Sequence, residues 1–115
     1  MWARKGRLKS RRLVPIAPNL MEWLGDWFKS PPETKLWPYD IRVLAERVTD
    51  ACERAEVRRI ENGARDSRIS YRVAQTGDVP RVALESGNSP KMIHDHYNDL
   101  ATPADAERYF GIRPA

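Results

Sequence analysis

Apolar residues recur at helical spacing along most of the chain, and turn residues separate these periodic segments. Pro18 and Asn19 open the first predicted helix, which ends at Ser30 ahead of two prolines. A longer helix is predicted to begin near Asp40, and its opposite face is charged, so it should be amphipathic. Its apolar stripe consists of Ile41, Leu44, Val48, Ala51 and Ala55.

The second half of the chain is predicted to form a series of shorter helices. A segment over 64–75 should bury Ile69 and Val73, which lie four positions apart on one helix face. Side-chain caps, prolines at first helical positions and terminal glycines mark the boundaries of the helices in this half. In order these signals are Asn62-Gly63, Asp78, Gly87, Ser89-Pro90, Thr102-Pro103 and Gly111.

One segment favours β structure. Residues 11–16 contain Leu13, Val14 and Ile16, and Pro15 suits an edge or the end of a strand. The predicted fold class is therefore mainly α, with a short N-terminal β-strand or hairpin followed by a compact set of helices. A length of 115 residues allows a single domain over 1–115, with a basic arm at 1–12 and a helical body at 13–115.

Positive charge is concentrated at the N-terminus. The chain has 20 Lys and Arg against 16 Asp and Glu, and residues 1–12 contain six of the cations and no acid. Residues 13–115 therefore carry 14 cations and 16 acids, a net charge of −2. Such an arm indicates a polyanion partner, most simply nucleic acid, and a solvated basic tail is the alternative. The six cations are Arg4, Lys5, Arg7, Lys9, Arg11 and Arg12.

Several classes of function are disfavoured by what the sequence lacks. No apolar stretch approaches about 18 residues, so no membrane span is expected, and no apolar run follows the basic start as a secretory signal requires. Cys52 alone cannot form an internal disulfide, which favours a reducing, cytoplasmic location. His94 and His96 point away from one another on a helix, and no third ligand group accompanies them, so no metal site is predicted.

Four segments resemble, in the same order, the motifs of tyrosine recombinases, the phage integrase family. The segment 9–16, followed by Pro-Asn-Leu, is similar to the exit of the catalytic hairpin, where the family has Arg-x-Val-Pro-Leu/Ile. The segment 62–71 resembles box II, His-x-Leu-Arg-His-Ser/Thr-Phe-x-Ser/Thr. The segment 82–90 resembles the Leu-Gly-His-Ser box, and 94–100 resembles the helix that presents the nucleophilic tyrosine. Together they cover about residues 7–110.

The resemblance implies DNA breakage and rejoining. In this family a tyrosine hydroxyl attacks a phosphodiester, forms a 3′-phosphotyrosyl link and frees a 5′-hydroxyl. Paired arginines bind the non-bridging oxygens, where charge develops, and a hairpin lysine gives a proton to the leaving oxygen. Because the protein–DNA link keeps the bond energy, the resemblance implies neither a nucleotide cofactor nor a metal.

Carried over by position, the resemblance implies five catalytic residues. Asparagine can donate a hydrogen bond to phosphate but cannot shuttle a proton at neutral pH, so two of these positions are expected to bind only. The five are Tyr97 as nucleophile, Arg65 as phosphate clamp, Lys9 as general acid, and Asn62 and Asn88 at two positions where the family has His or, at the second, Trp. Lys5 is close enough to Lys9 to compete for its assignment.

The chain also departs from the family pattern. Ala64, Asp66 and Arg68 stand where box II has Leu, His and Phe. An arginine at a packed position is costly unless its guanidinium reaches solvent or a partner. The family's first catalytic arginine and its DNA-clamping domain lie upstream of the hairpin, so the expected unit is the C-terminal part of a catalytic domain. We expect that unit to be inactive alone, which leaves open whether the chain is an enzyme.

Two hypotheses follow. The first is a DNA-binding tyrosine-recombinase catalytic unit whose partners are double-stranded DNA and other recombinase subunits, with DNA contacted by Arg4, Lys5, Arg7, Arg11 and Arg12. The alternative is a degenerate, non-enzymatic helical module for DNA binding or protein interaction, and Asp66 and Arg68 favour it. If the resemblance is real, Arg65, Asn88 and Tyr97 must converge from three separate elements; otherwise Tyr97 is an ordinary half-buried tyrosine.

Overall fold

The computed structural model describes residues 12–115, and this part of the chain is mainly helical, as the sequence predicts. Residues 12–115 form no β-strand. The elements are α1 (Pro18–Leu24), a short 3₁₀ helix (Gly25–Lys29), α2 (Ile41–Arg54), α3 (Gly63–Thr76), α4 (Val79–Ser86), α5 (Pro90–Tyr97) and α6 (Pro103–Phe110).

Most helix boundaries follow the caps visible in the sequence. Four helices begin after a residue whose side chain accepts a backbone N–H from the first turn, which satisfies a donor that the helix itself leaves free. These cap residues are Asp40, Asp78, Ser89 and Thr102. At Thr102 the cap is reciprocal, because the carboxylate of Asp105 also accepts the Thr102 backbone N–H.

The predicted N-terminal strand is absent from the part that the structure describes. Residues 12–17 are irregular, and Ala17 has extended backbone angles (φ −63°, ψ 147°) where it precedes α1. A strand needs a partner for its N–H and C=O groups; Pro15 lacks an N–H, and residues 12–115 offer no second strand. The remainder of the predicted hairpin and basic arm, including Lys9, lies outside the described residues.

The core is centred on α3, which packs against α4, α5 and α6. Its buried members are Ile69, Val73, Val82, Ala83 and Ile93. Ile69 on α3 is 2% exposed and Ile93 on α5 is 0% exposed, so the apolar faces of these two helices are buried in the core. The packed unit therefore holds α3 and the α4–α5 turn in fixed relative positions.

α1 is attached to the C-terminal segment. The indole Nε1 of Trp23 and the amide Nδ2 of Asn19 both donate to the carbonyl oxygen of Ile112, each at 3.0 Å. Tyr109 in α6 stacks on Tyr71 in α3, with ring centroids 4.3 Å apart. These contacts link the N-terminal helix to the core through α6.

α2 begins where the sequence predicts it, but it ends at Arg54, well before the break predicted at Asn62-Gly63, and it contains no buried residue. Ile41 is 72% exposed, although it lies on the apolar stripe. The following loop folds back on the helix, because Arg59 Nη1 donates to the carbonyl of Ala45 (3.0 Å) and to Thr49 Oγ1 (2.7 Å). The amphipathic pattern therefore predicts that a helix forms here, but it does not predict whether the helix is buried.

Candidate functional site

The first turn of α3, the turn between α4 and α5, and the end of α5 meet at one place. Arg65 is the third residue of α3, Asn88 lies in the turn, and Tyr97 is the last residue of α5. Two left-handed residues shape this corner: Asn62 (φ +57°) immediately before α3, and Gly87 (φ +77°) at the end of α4. The left-handed region suits glycine and tolerates asparagine, which explains both residue types.

Arg65 is bound to the α4–α5 turn. Its Nη2 donates to the carbonyl oxygen of Ser86 at 2.9 Å and to Asn88 Oδ1 at 3.2 Å. A guanidinium has five N–H donors, and within residues 12–115 the Nε and Nη1 groups of Arg65 form no hydrogen bond. The exposed side chain is therefore oriented by the turn and keeps donors for a ligand.

Tyr97 is half-buried against the core, and its hydroxyl donates to Asp66 Oδ1 at 2.9 Å. This hydrogen bond, followed by burial and the negative charge of Asp66, raises the pKa of the Tyr97 phenol above its usual value. The positive charge of Arg65 acts in the opposite direction on the same pKa. The tyrosine is consequently held in its protonated form.

Asp66 also belongs to the site. In the sequence it stands out only because it departs from the family pattern. An acid in the first turn of a helix is stabilised by the helix dipole. Its contact with Tyr97 joins residues 31 positions apart, so only the packing of α5 on α3 reveals it.

Arg68 finds a partner within the described chain. Its Nη2 lies 3.4 Å from Glu85 Oε1, and Arg72 binds the same carboxylate through Nε (3.0 Å) and Nη2 (2.9 Å). The Arg68 guanidinium also lies 5.9 Å from the centroid of the Phe110 ring. The arginine at this position thus belongs to an ion-pair cluster, which explains how the packing tolerates it.

Glu85 is 8% exposed and is the one charged residue buried among residues 12–115. The hydrogen bond from Arg72 is the main cause that lowers the pKa of Glu85 and raises that of Arg72. Glu85 therefore remains ionised at neutral pH. Glu85 is not among the functional residues predicted from the sequence. The available signal was an acid among the apolar residues of α4, three positions after Val82 and two after Ala83. The two arginines that bind it lie on α3.

A second arginine lies against the same turn as Arg65. A Cβ built on Gly87 would come 2.9 Å from Cζ of Arg12, so the guanidinium of Arg12 occupies the space that a side chain at Gly87 would fill. Between these groups is a pocket of ≈ 270 Å³. Its polar lining comes from Arg12, Arg65, Arg68, Glu85 and Ser86.

The remaining residues implied by the resemblance are not part of this arrangement as far as the structure describes it. Asn62 is exposed, its side chain does not cap α3, and within residues 12–115 it forms no hydrogen bond to Arg65, Asn88 or Tyr97. Lys9 and the arm residues Arg4, Lys5, Arg7 and Arg11 lie outside the described residues.

Neither a metal-binding cluster nor a membrane-spanning helix occurs among the described residues. Across 12–115 no three His, Cys, Asp or Glu side chains are grouped as a metal ion would need. In the same range no helix is both long enough and apolar enough to cross a membrane.

Comparisons with known proteins identify no relative: no family model matches the chain, and neither does any curated protein or solved structure. The resemblance to tyrosine recombinases therefore stays a prediction that depends on the residues themselves.

Proposed function

We propose that this chain is a DNA-binding unit with a tyrosine-recombinase-like site, and that it does not form a covalent Tyr97–DNA link on its own. The observation that carries the proposal is that Arg65 on α3 donates to Asn88 in the α4–α5 turn, and that the Tyr97 hydroxyl at the end of α5 donates to Asp66, the residue after Arg65. The resemblance makes Arg65 a phosphate clamp, Asn88 a second phosphate donor and Tyr97 a nucleophile.

Arg65 and the start of α3 are suited to a phosphate group. Arg65 offers guanidinium donors with the planar geometry that matches phosphate oxygens. The first turn of α3 adds free backbone N–H groups and the positive end of the helix dipole. The basic arm at 1–12 contributes sequence-independent attraction to the DNA backbone.

The contact between Asp66 and Tyr97 supports the lack of covalent chemistry. A tyrosine attacks phosphorus only as it loses its proton, and a carboxylate beside the hydroxyl opposes the phenolate that would result. The same negative charge disfavours a phosphate beside the Tyr97 hydroxyl, so the expected phosphate contact is Arg65 and not Tyr97.

The proposal is tested with labelled duplex DNA that contains a nick, so that any covalent product is trapped. We expect the chain to bind the duplex, as measured by fluorescence anisotropy, and to give no covalent adduct on a denaturing gel. An adduct that Tyr97→Phe abolishes would contradict the proposed inactivity. Absence of binding at low salt would contradict the proposed function as a whole.

A non-enzymatic DNA-binding or interaction module is the second candidate, and the ion-pair cluster of Glu85 with Arg68 and Arg72 favours it. Arg68 forms an ion pair with Glu85 in this cluster, at a position where the family has an apolar residue. Asp66→His, which restores the family's residue, separates the two candidates. Adduct formation by this variant supports a recombinase site and contradicts the non-enzymatic module.

A further inference from the structure

The turn formed by residues 86–88 is contacted by two guanidinium groups from distant parts of the chain. Arg65 reaches it from α3 and donates to Ser86 and Asn88. Arg12 reaches it from the segment before α1 and lies over Gly87. Both arginines line the same pocket of ≈ 270 Å³.

Glycine at position 87 makes this arrangement possible in two ways. Its φ of +77° belongs to the left-handed region that reverses the chain after α4. Its missing side chain leaves room for the Arg12 guanidinium, which any Cβ would displace. The turn therefore orients Arg65 through hydrogen bonds and leaves room for Arg12 beside it.

The pocket carries uncompensated positive charge. Among residues 12–115, no carboxylate lies within ion-pair distance of Arg12 or Arg65, although other arginines in the same range form such pairs. The acid that lines the pocket, Glu85, is bound by Arg68 and Arg72. Because that carboxylate is already paired, it does not neutralise the two arginines at the turn.

We propose that Arg12 and Arg65 together form one binding site for a phosphate oxyanion on the α4–α5 turn. Two guanidinium groups can bind one tetrahedral anion with several charge-assisted hydrogen bonds. The volume accommodates a phosphate group with several waters, since one water takes about 30 Å³ in the liquid. The site deepens the proposed DNA binding and rests on it, with a backbone phosphodiester as ligand; free inorganic phosphate has the same chemistry.

Inorganic phosphate is the direct probe of the site. The intact chain is titrated with phosphate at constant ionic strength, and NMR follows the backbone amides of residues 86–88 and the arginine side chains. We expect shifts at these groups, and an affinity that falls about tenfold in Arg12→Gln and in Arg65→Gln, as loss of a hydrogen bond to a charged group implies. Arg47→Gln, an exposed change on α2, is the matched control and should change nothing.

The double variant decides whether the arginines act as one site. If they do, both single variants should weaken the same phosphate titration at residues 86–88, and Arg12→Gln/Arg65→Gln should bind phosphate more weakly than either. A loss in either single variant no larger than that of Arg47→Gln, or the absence of shifts at residues 86–88, would overturn the inference. Circular dichroism and thermal unfolding of each variant show that the fold is kept.

The same five proteins are then compared for duplex DNA binding. A matching loss in the Arg12 and Arg65 variants assigns the site to backbone phosphate. Phosphate binding without any DNA binding contradicts the proposed function and retains the anion site for free phosphate. DNA binding without phosphate binding at the turn overturns this inference and leaves the proposed function standing.

Discussion

α2 and α3 are both 14 residues long and both amphipathic, yet only α3 contains buried side chains. α3 lies between α4, α5 and α6, whereas α2 has no comparable neighbour among the described elements. Ile69 on α3 is 2% exposed and Ile41 on α2 is 72% exposed. A periodic apolar stripe therefore determines that a helix forms, and the neighbouring elements determine whether that stripe contributes to the core.

The candidate site is built on α3, the packed helix of the two, and on the elements that pack against it. Arg65 and Asp66 lie in the first turn of α3, and the groups they contact belong to the α4–α5 turn and α5. Elements that share a core hold such contacts in place. If this comparison is right, changes on α3–α5 should affect both stability and the site, and matched changes on α2 should affect neither.

The largest expected effect is on the core. Ile69→Ala should lower the free energy of unfolding by about 2–5 kcal/mol, because it leaves a cavity between α3 and its neighbours. The matched variant Ile41→Ala on α2 should change it by less than about 0.5 kcal/mol. Urea unfolding followed by circular dichroism measures both. Similar losses in the two variants would show that α2 is packed as tightly as α3.

The second prediction concerns the buried ion-pair cluster. Glu85→Gln should cost about 2 kcal/mol, because it weakens charge-assisted hydrogen bonds from two arginines. The exposed change Glu53→Gln on α2 should be close to neutral. Chemical denaturation of the three proteins at neutral pH compares these effects.

The same cluster predicts a pH dependence. Because the folded-state pKa of Glu85 lies below its usual value of 4.5, ionised Glu85 stabilises the fold above that pH. This stability is lost as the pH falls from 4.5 through the lower folded pKa. The difference in stability between wild type and Glu85→Gln should therefore shrink in acid. A difference that stays constant or grows there would contradict the ion-pair account.

A smaller effect is expected at the turn. Gly87→Ala should destabilise the chain by about 1 kcal/mol, since alanine is strained at φ +77°. It should also weaken phosphate binding, because the new Cβ displaces Arg12. Gly63→Ala, where the added Cβ meets Ile60 at an ordinary 3.4 Å, is the control for stability. Thermal unfolding that ranks Gly63→Ala as the more harmful change would contradict this account of the turn.

The smallest expected effect is electrostatic and confined to Tyr97. Asp66→Asn should lower the pKa of Tyr97 toward the ordinary tyrosine value, because it removes the charge beside the hydroxyl. NMR titration of isotope-labelled tyrosine measures this pKa, and Tyr97→Phe identifies the resonance. Asp95→Asn, which changes an exposed acid paired with Lys91 on α5, should leave the pKa unchanged. An unchanged pKa in Asp66→Asn would mean that the contact does not govern the phenol.

The sequence predicted the helices well because their signals are local. Ser89 and Thr102 cap helices that begin with proline, and Gly87 ends α4 in the left-handed conformation, as the spacing indicates. The prediction of a strand over 11–16 was wrong for residues 12–16, because a strand depends on a partner strand that no local pattern reveals.

Within the site, the pattern of motifs led to Arg65, Asn88 and Tyr97. The structure joins Arg65 to Asn88, and it joins Tyr97 to Asp66, the residue after Arg65. The contacts of Asp66 with Tyr97 and of Glu85 with two arginines join residues 13–31 positions apart. Such pairs depend on how helices pack, so the sequence shows the charges but not their partners. The position of Arg12 against Gly87 is hidden for the same reason.

Duplex DNA affinity at several salt concentrations tests the central claim most directly, in the intact chain and in Arg65→Gln and Arg47→Gln. The two variants remove the same charge, one at the candidate site and one on α2. We predict that Arg65→Gln binds DNA several-fold more weakly and that the slope of log affinity against log salt falls by about 1. Arg47→Gln should resemble the wild-type chain. Equal affinities and slopes for the two variants would contradict a phosphate site at the start of α3.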